Sequence, residues 1–229
     1  MYVHHAEVDI FPEQFDKWSA HAHNYVSVMS RKPGLAVIRG LRSIVDPHHV
    51  VFVETWRSKE DCAKAQASIE AGLVATAIRR GELVRNERHR EFGLHDMVWG
   101  RRGLHGFSDP AQFVRHIEVD VFPEKFAQQW VPWVRNFLSV FARQKGVLAE
   151  EILRSTTDPY HLVAIRTYVN EAAALAKPSI EEETAANFTK EGKVYAKPPS
   201  SITCSLFDIG WGLTGQQDIG EFMMQMESV

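Results

Sequence analysis

The chain repeats itself, and that repeat limits its fold more than any other feature of the sequence. Residues 3–15 read VHHAEVDIFPEQF and residues 114–126 read VRHIEVDVFPEKF, with nine of thirteen positions identical at an offset of 111. Chance agreement for such a composition is about one in fifteen. Farther along, the offset becomes 112, so the second copy has gained one residue. Asn24-Tyr25 then aligns with Asn136-Phe137, Gly34 with Gly146, Asp46-Pro47-His48-His49 with Asp158-Pro159-Tyr160-His161, and Thr55-Trp56 with Thr167-Tyr168. Asp96 and Trp99-Gly100 align with Asp208 and Trp211-Gly212. The expected organisation is a unit over 1–100, a Gly-rich linker over 101–112, a second unit over 113–212 and a Met-rich tail over 213–229.

Within one copy the pattern reads β-α-β-β-α-β. Residues 2–10 alternate, with His4, Ala6, Val8 and Ile10 on one face and Val3, His5, Glu7 and Asp9 on the other, as in a half-buried strand. Pro12 followed by Glu13 opens a helix to about Arg31, which Lys32-Pro33-Gly34 stops. Two strands, 35–43 and 49–56, flank the Asp46-Pro47 turn. A second helix is expected over 59–83 and a last strand over 92–99. This is the ferredoxin-like arrangement. Each such sheet has helices on one face only, so its other face must be covered as well. Two copies in one chain meet that need by packing sheet to sheet with their helices outside, as a dimer fused into one chain. Arg39 and Glu54 are equidistant from the Asp46–Pro47 bond, which predicts that they pair across the hairpin, with Glu151 and Arg166 as the charge-swapped pair in the second copy.

Composition narrows the functional classes. Twenty-six Lys and Arg against 29 Asp and Glu leave a net charge of −3, which provides no basic face for nucleic acid. No apolar run nears the ~20 residues of a membrane span, and the first residues lack the basic-then-apolar pattern of a secretory signal. With only Cys62 and Cys204, there is no disulfide framework, and a cytoplasmic location is expected.

The stretch PGLAVIRGLRSIVDPHHVVFVETWRSKEDCAKAQAS resembles the antibiotic biosynthesis monooxygenase family. The resemblance rests on Pro33-Gly34 before the second strand, on Asp46-Pro47 in the hairpin and on Trp56-Arg57-Ser58-Lys59-Glu60 leading into the next helix. The second copy keeps Gly146, Asp158-Pro159 and Glu171, with Tyr168 in place of the tryptophan. The resemblance implies a dimeric α+β barrel and a monooxygenase that needs no cofactor. Such an enzyme oxidises a phenolic or anthrone-type aromatic intermediate of secondary metabolism with O2. Positions 65 and 75, where a haem-degrading relative would carry its aromatic and imidazole groups, are alanines here.

Strand alternation places His5, Glu7, Glu54 and Trp56 on one face, and the chemistry that the resemblance implies assigns the roles. His5 is expected to be the base with Glu7 orienting it, and Trp56 and Tyr25 the pocket aromatics. Asn24 and Arg39 would donate to a developing oxyanion, and Glu54, Asp96 and His116 would complete an inward-facing cluster. A second reading makes His5, Glu7 and Asp96 the ligands of a divalent metal such as Fe(II), Mn or Zn, serving an oxygenase, isomerase or lyase. A third is a non-catalytic ligand binder or assembly protein, with the tail (Phe222-Met223-Met224-Gln225-Met226) docking on a second copy. Eight of the eleven histidines fall in the first unit, an asymmetry expected if one half does the chemistry and the other is scaffold, or if two sites have diverged. His4, on the helix-facing side, reads as a core residue. The expected partners are an aromatic small molecule and O2, with neither nucleic acid nor membrane.

Overall fold

A computed structural model describes residues 1–80, 82–100, 112–176, 187 and 193–212. Most of the expected linker, the whole Met-rich tail and residues 177–186 lie outside the described residues. The chain is α+β and divides into two compact units, Met1–Phe92 with Leu206–Val229, and Gly93–Ser205.

The first unit runs β1 (Tyr2–Ile10), a 3-10 turn at Pro12–Gln14, α1 (Phe15–Met29), β2 (Leu35–Ser43), β3 (His49–Trp56), α2 (Lys59–Gln66), α3 (Ile69–Arg80) and the start of β4 (Val84–Trp99). Its strands are ordered β4-β1-β3-β2, followed by the final residues of β8 (Ser200–Trp211). The expected second helix is broken at Ala67-Ser68, where Ser68 Oγ bonds the Ala65 carbonyl at 2.7 Å. Ser58 caps α2 by accepting the Asp61 N–H at 3.1 Å. The last strand begins eight residues earlier than its pattern indicates, because Arg85-Asn86-Glu87-Arg88-His89-Arg90-Glu91 carries no apolar alternation to mark it.

The second unit repeats the order with β5 (Phe113–Asp120), α4 (Pro123–Lys125), a π turn (Phe126–Trp130), α5 (Val131–Phe141), β6 (Val147–Ser155), β7 (His161–Tyr168), α6 (Glu171–Ala174) and β8. The π turn accounts for the extra residue of this copy. A turn closed i to i+5, here Val131 N–H to Phe126 C=O, absorbs one residue without ending the helix, so the offset steps from 111 to 112 there.

The hairpin register differs from the symmetric expectation. Arg42 pairs with Val50, and Arg39 with Val53, so the loop is centred on Asp46 itself rather than on the Asp46–Pro47 bond. Arg39 therefore does not face Glu54; Ile38 does. In the second copy Arg166 faces Glu150, not Glu151, and the two form an ion pair at 2.8 Å. A one-residue slip moves every side chain to the other face, so the proposed charge swap between Arg39–Glu54 and Glu151–Arg166 falls. No helix among the described residues is long and apolar enough to cross a membrane.

Candidate active site

The helix-facing side of the first unit encloses a cavity of about 420 Å3. Strand alternation supplies its floor. His4 stands opposite Glu54 and Ala6 opposite Phe52, so these four side chains share one face. Helix periodicity supplies its walls. Trp18, Ala22 and Tyr25 lie at i, i+4 and i+7 on α1, and Ala71, Ala75 and Ile78 at the same spacing on α3. The hollow exists because four of these positions are alanines, too small to close the space between sheet and helices.

The lining of this chamber includes a polar group centred on Glu54, a residue only 1% exposed. It accepts hydrogen bonds from Tyr25 Oη at 2.9 Å and Trp56 Nε1 at 3.1 Å, and lies 3.4 Å from His4 Nδ1. A buried charge is tolerable only when paired and bonded in this way. Gln66 Nε2 approaches His4 Nδ1 at 3.2 Å, and the His4 and His89 rings stack at 5.1 Å, with His89 Nε2 3.1 Å from Glu87. Burial lowers the His4 imidazole, but the bond to Glu54 and its charge outweigh that and leave its pKa above the ordinary value. Burial, reinforced by Glu54, holds the Tyr25 hydroxyl and the Cys62 thiol firmly protonated.

The expected site residues fall on both faces of the sheet. Tyr25 and Glu54 line the cavity, and Trp56 is buried beneath it as a donor to Glu54. His5, the expected base, lies opposite Val53 on the other face, fully buried, with Nδ1 3.7 Å from Glu7 and its ring edge against Phe92. Glu7 is held by Arg88 and Arg90. Arg39, also opposite Val53, shares the side of His5 rather than that of Glu54. Asn24 is exposed on α1 and does not line the cavity, being one helical step from the Tyr25 face. Asp96, bonded to the Met97 N–H at 2.9 Å, and the buried His116 belong to the second unit. The expected ligand set of His5, Glu7 and Asp96 is thus not assembled within one unit. The first unit instead groups His4, Glu54 and Cys62, with ligand atoms within 4.8 Å of one another.

Sequence reasoning missed His4, Gln66, Glu87 and His89. The available signal was the set Ala6, Ala22, Ala71 and Ala75. Small residues on facing apolar stripes leave a void, and the polar side chain beside them then lines it.

The model of the antibiotic biosynthesis monooxygenase family matches residues 1–72. No curated protein matches the chain by sequence. Among solved structures, the chain is similar to a proposed monooxygenase of Lactobacillus acidophilus, at 12% identity and a TM-score of 0.74, over 92% of this chain and 95% of that one. It is similar to a proposed monooxygenase of Fusobacterium nucleatum, at 12% identity and a TM-score of 0.77, over 93% and 95%. An anthrone oxidase-like protein aligns at 14% identity and a TM-score of 0.67, over 93% and 94%. At such identities these likenesses establish the fold, and they span both copies. The family match covers β1, α1, β2, β3 and α2, the elements that carry His4, Tyr25, Glu54 and Gln66.

Proposed function

We propose that the protein is a cofactor-independent monooxygenase that oxidises an electron-rich phenolic or anthrone-type ring with O2 in the cavity of the first unit. The observation that carries this reading is an imidazole–carboxylate pair, His4 and Glu54, in the lining of an apolar chamber of a size suited to a small organic molecule. His4, rather than His5, takes the acidic proton of the substrate. The charge of Glu54 steadies the imidazolium that forms, as a buried carboxylate does for a catalytic imidazole. Tyr25 and Trp56 fix Glu54 in place. The substrate anion gives one electron to O2, and recombination forms a carbon–oxygen bond as a hydroperoxide. Loss of water then leaves the carbonyl, so one CH2 and one O2 become one C=O and one H2O. The alanine and aromatic walls offer the ring of the substrate an apolar surface.

A second reading rests on the grouping of His4, Glu54 and Cys62, which would suit a divalent metal once the thiol is deprotonated. One assay separates the two. Turnover of dithranol under O2 is followed at 25 °C with and without EDTA. We expect no change with chelator, a loss of at least about 100-fold in His4→Ala, and near-parental turnover in His5→Ala. Loss of turnover on chelation favours the metal reading, and full turnover by His4→Ala removes the base assignment.

A further inference from the structure

We infer that the second unit holds a separate binding site for an anionic aromatic ligand, built by reversing the charge of the first unit's polar group. The helix-facing side of this unit encloses a cavity of about 1090 Å3. Eight of its positions, on β5, β7 and the helix between them, correspond to lining positions of the first cavity, through the offset of 111 on the first strand and 112 after the π turn. Arg115 stands where His4 stands, and Arg166 where Glu54 stands. As His4 faces Glu54 across β1 and β3, so Arg115 faces Arg166 across β5 and β7. Arg115, Arg166 and Phe137 stand in place of the His4 imidazole, the Glu54 carboxylate and the Tyr25 hydroxyl, so the imidazole–carboxylate pair that the proposed oxidation uses is not repeated here.

Two guanidinium groups directly opposite on one sheet face repel each other. Glu150, bonded to Arg166 Nε at 2.8 Å, answers one of them. Lys145, Lys193 and Lys197 also line the cavity, and Glu150 is the one carboxylate among its described lining residues. Lys197 is engaged by Asp120 at 2.8 Å, and the cavity keeps an excess of positive charge from Arg115, Lys145 and Lys193. The Arg166 guanidinium lies over the Phe137 and Phe141 rings at 4.7 and 4.9 Å, which fixes its plane. Trp130 and Trp133 add aromatic wall, and Ala164, in place of Phe52, opens the floor. A flat ring carrying a carboxylate or phenolate meets this chamber on both counts: its π-faces pack on the aromatic walls, and its anion sits between Arg115 and Arg166, where planar paired donors suit it.

The inference stands whatever the first unit catalyses, because its test reads binding alone. The full-length protein is titrated with anthracene-2-carboxylate and with the uncharged anthracene-2-carboxamide, followed by ligand fluorescence and calorimetry. The carboxylate should bind at least about tenfold more tightly than the amide, and added salt should weaken it. Arg115→Gln should remove that preference, whereas Glu54→Gln in the first unit should leave it intact. Because Arg166→Gln would remove the 2.8 Å ion pair of the buried Glu150, its partner variant is the double Arg166→Gln/Glu150→Gln, which leaves the net charge of the site unchanged. Ala164→Phe should block both ligands. Equal affinity for the two probes, or a preference that survives Arg115→Gln in a protein with parental circular dichroism, overturns the inference.

Discussion

The polar group of the first unit makes a quantitative prediction through Tyr25→Phe. This change removes one oxygen and leaves the ring in place, so its cost isolates the 2.9 Å bond to Glu54. Hydrogen bonds to a charged partner are worth about 1.5–3 kcal/mol, and neutral ones about 0.5–1.5. Glu54 is buried and keeps a second donor, Trp56, at 3.1 Å. Its charge is therefore not abandoned, and we expect a cost of about 2 kcal/mol. For a chain of this length that corresponds to a fall of roughly 4–8 °C in Tm. In a Glu54→Gln background the same bond is neutral, so Tyr25→Phe should cost about 1 kcal/mol there, giving a coupling of about 1 kcal/mol in the double-mutant cycle. Urea unfolding of the four proteins, followed by tryptophan fluorescence, measures all the terms. Strictly additive costs, within about 0.3 kcal/mol, would mean that Tyr25 does not bond a charged Glu54, and the anchoring of the proposed base would fail with it.

The pH dependence follows from His4. Its folded-state pKa lies above the ordinary 6.5, because Glu54 outweighs burial. The stability contributed by the pair is then complete below that ordinary value and is lost as pH rises through the folded-state one. Unfolding measured at successive pH values should show His4→Gln destabilising the protein at acid pH and progressively less at alkaline pH; the opposite slope contradicts the pairing. Gly34 has φ +84°, and a Cβ there would lie 2.6 Å from the Asp61 side chain. Gly34→Ala should therefore destabilise by about 1–3 kcal/mol in a denaturant titration. Ala22, 1% exposed on the cavity wall, should accept phenylalanine at small cost in stability, since the void already exists; Ala22→Phe should raise KM at least about tenfold.

The duplication was legible in the sequence because nine identities in thirteen aligned positions are hard to produce by chance. The element order followed from alternation and from the Pro-Gly punctuation. The face on which the chemistry sits was not legible, for a definite reason. A strand pattern with polar residues on both faces, here His4 on one and His5, Glu7 and Asp9 on the other, does not say which face has room for a ligand. That depends on the helices above it, and specifically on Ala22, Ala71 and Ala75. The hairpin pairing failed on a single residue. An odd loop, Ser43–His49, is centred on a residue, and an even one on a bond; the Asp-Pro dipeptide is compatible with both. Glu54 was thereby grouped with His5 and Arg39 when its register partners are His4 and Ile38.

The corrected register also explains how the two copies could diverge at a buried polar position. In the first unit the strands place Ile38, Glu54 and His4 in a row across β2, β3 and β1. In the second unit the same row across β6, β7 and β5 reads Glu150, Arg166 and Arg115. Each row holds one acid, but the acid has moved from the middle strand to the outer one. Replacing Glu54 by arginine alone would have set a guanidinium against His4 with Ile38 beside it, a buried cation without a partner. Breaking a buried pair costs about 3–5 kcal/mol. With an acid in place of Ile38, the middle position can hold arginine, and the third can then become a cation that needs an outside anion. The acid on the outer strand is therefore a precondition for the arginine pair rather than an accompaniment to it. Installing Arg at 54 in the first unit should be tolerated only together with Ile38→Glu, and urea midpoints of the single and double variants decide whether that order holds.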